Sequence, residues 1–513
     1  MELLNIYTIT AFCSTIVVLV TAFYFYAHYK LTYWTRRGIE QLPNPHIIFG
    51  HVKDAMLFRT APGFHMGQLY LSARPEAPYI GFYIFHKPCL LVRDPEVAKQ
   101  MFVTDFEIFS DRHFSGSEQL DSFGMLNLFG LKNPAWKFLR TKISPVLTKG
   151  KLRQMYPLMI ETSKPMMEYL ENKSTVEKGS DVKKVDVQDL IFRFTIDSIS
   201  NIALGTKTDS FHNPNTDYTK EIMRLFHGSD RMRALITVFF IPEIVRYGGY
   251  MFLFKLKHAK KLFWDGLRAR DTAQTAQRGD FIDALVSLKH AEQSPLYKFE
   301  GENLMSLAGM FFSGLESSSS AASFTLLELA RNSELQNLAR EEIKEIIAKY
   351  GWTMEAFEKM KFLEQCIYEG VRMYPPATIV DRKAREDYPI PNTDVVLEKG
   401  TPVFISLYGM HSNETNFPEP RVFNPDRFAD GQKPIAFMGF GIGPRMCVGV
   451  KMGLLYTKFI ISKILINYEI YQKSESTNDL DKRGTLSIVA DGINVFYRPI
   501  TPQLDENNNV IVK

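Results

Sequence analysis

The sequence predicts a mainly α, α+β globule behind one N-terminal membrane helix, and three observations predict it. The run from Leu3 to Tyr29 carries no Asp, Glu, Lys or Arg, and about 20 apolar residues suffice to span hydrocarbon. Helical periodicity dominates the middle of the chain, over 136–146, 156–172, 187–204, 254–278, 303–331, 335–349 and 362–374. Short β-branched and aromatic runs lie toward the ends, at 79–85, 89–92, 395–397, 403–406 and 485–497. That distribution describes a helix-rich domain with small sheets at both chain ends.

Composition narrows the class by exclusion. With 23% charged, 45% hydrophobic and 13% aromatic residues, usage is ordinary for a globule, which excludes a disordered chain and a collagen-like rod. A mean hydropathy of −0.13 excludes a polytopic membrane protein. The net charge of +4, from 61 basic and 57 acidic residues, is too small to argue for nucleic acid. Four cysteines are too few for a disulfide scaffold. Length alone, 513 residues, suggests about three domains.

Taken in order, residues 3–29 are read as a retained transmembrane anchor rather than a signal peptide. The leading charge is Glu2, the run is too long, and no A-x-A pattern closes it. Lys30, Arg36 and Arg37 follow, so the positive-inside rule places the rest of the chain in the cytosol. Tyr24, Tyr26, Tyr29, Tyr33 and Trp34 are expected as an interfacial aromatic belt. Thiols should then be reduced, and the sequons at Asn172 and Asn413 should stay without sugar.

Residues 30–50 are a basic linker stiffened by Leu42-Pro43-Asn44-Pro45. The first strand runs read as a hairpin broken by Pro88. A second apolar stretch, 234–256, carries Glu243 and Arg246 and is interrupted by Pro242 and Gly248-Gly249. It is too broken to cross a membrane, and is either buried core or a monotopic patch beside the anchor.

The most specific feature is the spacing F-x-x-G-x-R-x-C-x-G, at Phe440, Gly443, Arg445, Cys447 and Gly449. Average residue usage produces it by chance on the order of once in ten thousand chains this long. A glycine-rich loop here feeds a helix from Lys451 to about Leu465. A cysteine at a helix N-terminus has its thiolate favoured by the dipole and unpaired amides. Arg445 offers a fixed fork for a carboxylate. A buried structural cysteine would not require these glycines. No C-x-x-C pair or H-E-x-x-H occurs, which disfavours zinc.

At these residues the chain resembles the cytochromes P450, which are haem-thiolate proteins. The resemblance implies haem b with Cys447 as axial iron ligand, in a loop shaped by Phe440, Arg445 and Gly449. It extends along the chain. Of several E-x-x-R matches, only Glu369–Arg372 is followed by Tyr374-Pro375-Pro376 and then the cysteine loop. Its implied partner is Arg427 in Pro425-Asp426-Arg427-Phe428, giving a buried ion network that steadies the loop.

Trp136 and Arg140, at i and i+4, match the family's propionate donors, with Arg382 and Arg445 completing the clamp. On the helix 303–331, Glu316 and Ser317 stand where the family keeps an acid and an alcohol for proton delivery. Two departures occur here: Ser313 replaces a small apolar residue, and Ser317 replaces threonine. Losing that methyl relaxes the rotamer, which puts coupling efficiency rather than activity in doubt.

Independently of any family, 132–153 holds seven basic residues (Lys132, Lys137, Arg140, Lys142, Lys149, Lys151, Arg153) and no acid. Such a run can steer an acidic electron donor. Positional resemblance places the substrate at Phe109, Phe114, Phe123, Met125, Phe311, Leu315, Ile379 and Val380, with 488–493 closing the far side.

Since the implied haem partners run from Trp136 to Gly449, residues 51–513 are expected as one catalytic domain. Asp111-Arg112, Gly150-Lys151-Leu152, residues 278–289 and Arg382-Lys383 look most like insect microsomal members handling foreign chemicals. The resemblance therefore implies a monooxygenase at the endoplasmic reticulum using O2 and NADPH–cytochrome P450 reductase, with cytochrome b5 as a second donor. Its substrates would be small and hydrophobic, such as plant toxins or insecticides. Rival readings are an isomerase or dehydratase of lipid peroxides that needs no reductase, an endogenous hormone or lipid hydroxylase, and a non-catalytic carrier.

Overall fold

The computed structural model describes residues 2–114, 126–176, 179–226, 233, 236–237, 239–244, 256–272, 277–391, 393–472 and 492–500. The first element is the helix Glu2–Leu31. Its segment Tyr7–Leu31, with mean hydropathy 1.9, is long and apolar enough to cross a membrane. The base of this helix is clasped by the domain. Phe23 and Tyr26 meet the His86 ring at 5.8 and 5.4 Å, and Gln41 donates to the Leu31 carbonyl at 3.1 Å.

Trp34 is not part of an interfacial belt. It is fully buried and lies so close over Gly81 that a Cβ there would sit 2.3 Å from its ring. Leu42, also buried, donates its N–H to the Gly81 carbonyl. Residues 34–42 therefore pack along the sheet edge.

Among the described residues there are nine strands. They are β1 (Tyr79–Ile84), β2 (Lys87–Val92), β3 (Lys183–Asp186), β4 (Ile379–Lys383), β5 (Tyr388–Pro389), β6 (Val396–Leu397), β7 (Pro402–Ser406), β8 (Tyr468–Tyr471) and β9 (Asn494–Pro499). The largest sheet has the order β1-β2-β7-β4. Its β2 and β7 are parallel, with Leu90 opposite Val403. Strands from early and late in the chain thus share one sheet, while the last strand, β9, pairs with β3 and β8 in a second. Parallel neighbours need a long crossover, and here that crossover is most of the helical domain.

Pro88 does not break the hairpin. Its partner is Tyr83, whose N–H and C=O turn away from β2 and bond His51. The missing proline N–H therefore costs no ladder bond, and β7 does not reach as far as residue 88.

The helix expected over 156–172 is two, Lys149–Glu161 and Ser163–Glu171. Pro165 has no N–H to offer the Glu161 carbonyl, so the helix stops and restarts. The helix expected over 254–278 is described as Lys257–Asp271, and residues 485–491 of the last strand run lie outside the described residues. Within the second apolar stretch Phe239, Phe240 and Leu256 are buried.

The long helix Glu302–Arg331 runs through the core. It packs against the helix Val187–Ala203, which Asp186 caps. On its other sides lie the helices Lys361–Met373 and Val450–Asn467. These four organise the site.

Candidate active site

The loop before Val450–Asn467 owes its path to glycine. Gly441 and Gly443 have φ of 78° and 71°, and a Cβ on Gly443 would lie 2.3 Å from the Phe102 carbonyl oxygen. The Cys447 N–H donates to the Phe440 carbonyl at 2.8 Å, closing the loop. Cys447 is accessible, although burial is the largest influence on its thiol; it is walled by protein but faces open space.

One expectation is corrected here. The helix begins at Val450 with Gly449 as N-cap, so Cys447 precedes the helix rather than heading it. Burial pushes its thiol up, against the opposing pull of the Gly449 N–H and the charges of Arg140 and Arg112. Cys89 and Cys366 are fully buried; burial pushes Cys89 up to about 12 and raises Cys366 as well.

Beside the loop lies an excess of buried positive charge. Arg445 donates to the carbonyls of Ser110 (2.6 Å) and Leu131 (2.9 Å), and its guanidinium lies 4.2 Å from the Trp136 ring centroid. Arg382, on β4, donates to its neighbour's carbonyl at 2.7 Å and covers the Phe102 ring at 4.9 Å. Burial and mutual repulsion with Arg112 depress Arg445 to about 8 and Arg382 to about 9. A guanidinium does not give up its proton in a protein, so the cost persists as charge that Asp381 and Asp111 only partly offset. The Nε atoms of Arg382 and Arg112 are buried without a hydrogen-bond partner. Arg140 is half-buried, and its nearest titratable influence is Cys447.

Sequence reasoning missed three members of this cluster. Arg112 sits 3.9 Å from Asp381, and the fully buried Asp381 carboxylate accepts the Phe114 N–H at 2.7 Å. Burial pushes Asp381 up, but Arg112, that N–H and Arg382 together hold it below its usual range. Lys132, expected on a steering surface, is instead drawn inward. Its ammonium bonds the carbonyls of Arg112 and Phe114, and burial lowers it to about 8.

The remaining basic run is also less one-sided than its sequence. Lys137 pairs with Glu107 at 3.3 Å, Lys149 with Glu358 at 2.6 Å, and Arg153 with Glu355. Acids distant in sequence neutralise it in space.

The structure brings Glu369, Arg372 and Arg427 together. Glu369 accepts from Arg372 Nε (2.6 Å) and Nη2 (2.8 Å) and from Arg427 Nε (3.3 Å), and from the Asn424 N–H at 3.0 Å. His411, also missed, links this network to the cysteine loop. Its Nδ1 donates to the Arg372 carbonyl at 3.2 Å and its Nε2 accepts the Met438 N–H at 3.1 Å. Those two bonds fix the neutral tautomer, and burial lowers His411 to about 3.

On the central helix Ser317 Oγ donates to the Gly314 carbonyl at 3.3 Å, and Glu316 is half-buried. Ser313 is exposed although Phe312 beside it is buried, and a Cβ on Gly314 would meet nothing within 4 Å. This face of the helix opens onto space. A Cβ on Gly453, one turn beyond Gly449, would lie 3.6 Å from Ser318 Oγ, and one on Gly449 4.0 Å from the Cys447 sulfur. The central helix therefore packs across the first turn of the helix that follows the cysteine loop.

The expected substrate residues scatter. Phe109 is fully buried in the sheet core against Tyr388 at 4.9 Å, and Phe311 turns toward Phe281 at 4.4 Å; both serve the core. Phe114 meets Phe239 at 5.1 Å. Ile379 and Val380 are buried on β4, and strand alternation puts only Val380 on the face of Arg382. Phe123, Met125 and residues 488–491 lie outside the described residues, as does the Leu315 side chain.

An accessible lone cysteine beside buried cations that outnumber their carboxylates fits one cofactor class well. Haem brings two propionates and an iron that takes a thiolate, so the fold and donor set define a haem-thiolate protein. The comparisons agree, since a family model described as Cytochrome P450 matches residues 41–495. This chain belongs to the cytochrome P450 family. It is 32% identical to cytochrome P450 6k1 of Blattella germanica, over 96% of this chain and 98% of that one. It is 31% identical to a probable cytochrome P450 6g2 of Drosophila melanogaster, over 91% and 94%. Cytochrome P450 6d3 of Musca domestica is 30% identical, over 89% and 92%. Membership carries haem with cysteine-thiolate ligation and the activity of a monooxygenase.

Proposed function

We propose that this protein is a membrane-anchored monooxygenase of small hydrophobic foreign compounds at the endoplasmic reticulum, supplied with electrons from NADPH by cytochrome P450 reductase. When bound, haem b supplies the activation of O2 that inserts one oxygen atom into substrate. Cys447 would hold the iron, within the loop of Phe440, Arg445 and Gly449. Arg112, Arg140, Arg382 and Arg445, with Trp136, receive the propionates and so relieve the buried positive charge. Ser317 and Glu316 hold and pass protons on the open face of the central helix, and Phe114, Leu315 and Val380 border the substrate.

The observation that carries this reading is the accessible Cys447 sulfur beside guanidiniums whose Nε atoms have no partner. Choice of foreign compounds rests on the stretches resembling insect microsomal members and on the insect relatives. Substrate-dependent NADPH consumption with reductase, across plant toxins and insecticides, tests it. Product formation on the panel is expected. A normal reduced-CO spectrum without NADPH turnover would instead favour a rearranging isomerase or dehydratase.

A further inference from the structure

On the helix Lys361–Met373, beside the cysteine loop, Tyr368 is packed with aromatic rings and capped by a cation. Its ring lies 6.1 Å from Phe440 at 83°, 5.7 Å from Phe437 at 63° and 5.5 Å from Phe428. Lys433 Nζ sits 4.2 Å from its centroid, within the range where an ammonium is attracted to a ring face. The hydroxyl donates to Glu364 at 2.9 Å, and Glu364 is held by the buried Lys458 at 2.6 Å. Phe440 is the residue whose carbonyl accepts the Cys447 N–H. The ring of Tyr368 therefore bears on the residue that sets the sulfur's backbone position.

We propose that Tyr368, capped by Lys433, is a positioning residue for the cysteine ligand. Edge-to-face aromatic contacts have a geometric preference that an aliphatic side chain lacks. Replacing this ring would let Phe440 shift and loosen the Phe440–Cys447 bond without touching haem or substrate. The Lys433 charge adds to the same restraint from the surface side. This inference rests on Cys447 being the iron ligand.

The test uses full-length, haem-loaded protein and reads how fast the thiolate-shifted Soret band of the reduced-CO complex decays. Tyr368→Leu is expected to speed that decay about three- to tenfold, the span of an aromatic pair's contribution. Tyr368→Phe, which keeps the ring, is expected to stay within about twofold of wild type, and Lys433→Gln to fall between the two. Decay in Tyr368→Phe as fast as in Tyr368→Leu would overturn the proposal, because the hydroxyl bond to Glu364 would then be the cause. If Tyr368→Leu does not fold, Lys433→Gln decides: faster decay supports the proposal and unchanged decay overturns it. A wild-type protein without the shifted band would refute the ligand assignment itself, a failure distinct from that of Tyr368.

Discussion

The cysteine loop and the central helix are held in different ways. The polar groups that support the loop tie distant segments together: Arg372 to the His411 carbonyl, His411 to Met438, Arg445 to Ser110 and Leu131. On the central helix Ser317 bonds the carbonyl of Gly314, three residues away on the same helix. The loop is fixed by tertiary hydrogen bonds, whereas the serine hydroxyl is free to exchange a local bond for another. A ligand that must not move and a group that must pass protons call for this contrast.

The largest effect should come from the loop's support. Glu369→Gln removes the carboxylate from the buried Arg372 and the partly buried Arg427, and breaking a buried pair costs about 3–5 kcal/mol. Urea unfolding of the purified protein should register it, together with loss of bound haem. A change under about 1 kcal/mol would mean that the network is dispensable.

Next in size is a reversal between apo and haem-loaded protein. Arg382→Met removes one charge of a buried cation excess from the apoprotein and leaves Asp381 to Arg112, so apo stability should rise by about 1–3 kcal/mol. Haem retention should fall, because a propionate loses its partner. Thermal melts of both forms check the signs, and destabilisation of both would contradict the assignment of Arg382 to haem.

Acid should act on the same support. His411 is neutral in the fold, with a value of about 3 against an ordinary 6.5. The unfolded chain binds more protons between these values, so the stability this group contributes is present above pH 6.5 and is lost as pH falls toward 3. The slope is at most about 1.4 kcal/mol per pH unit. His411→Asn should flatten that part of the stability–pH curve.

The smallest effect belongs to the central helix. Ser317→Thr restores a rotamer-restricting methyl, and should raise product formed per NADPH by about two- to threefold without altering the Soret band, as a modest change in proton delivery would. An unchanged ratio would place proton delivery elsewhere.

The contrast also explains what the sequence could and could not disclose. Cys447 and the Glu369–Arg372 pair were legible because glycine spacing and i, i+3 helix geometry are local. Arg112, Asp381 and His411 were not, because their roles depend on which strand and loop lie opposite them. The parallel pairing of β2 with β7 spans some three hundred residues, and no short pattern announces it. Phe109 and Phe311 were assigned to substrate by position alone, but aromatic residues at such positions also fill cores. The partners of the basic run were hidden for a related reason: Lys132 bonds the carbonyls of Arg112 and Phe114, and the acids that pair with Lys149 and Arg153, Glu358 and Glu355, come from another segment.

The most direct measurement is the reduced-CO difference spectrum of wild type beside Cys447→Ser. Wild type should show the thiolate-shifted Soret band, and Cys447→Ser should lack it even where the cation cluster still retains haem. Persistence of the band in Cys447→Ser, or its absence from wild type, would contradict the assignment of Cys447 as the ligand.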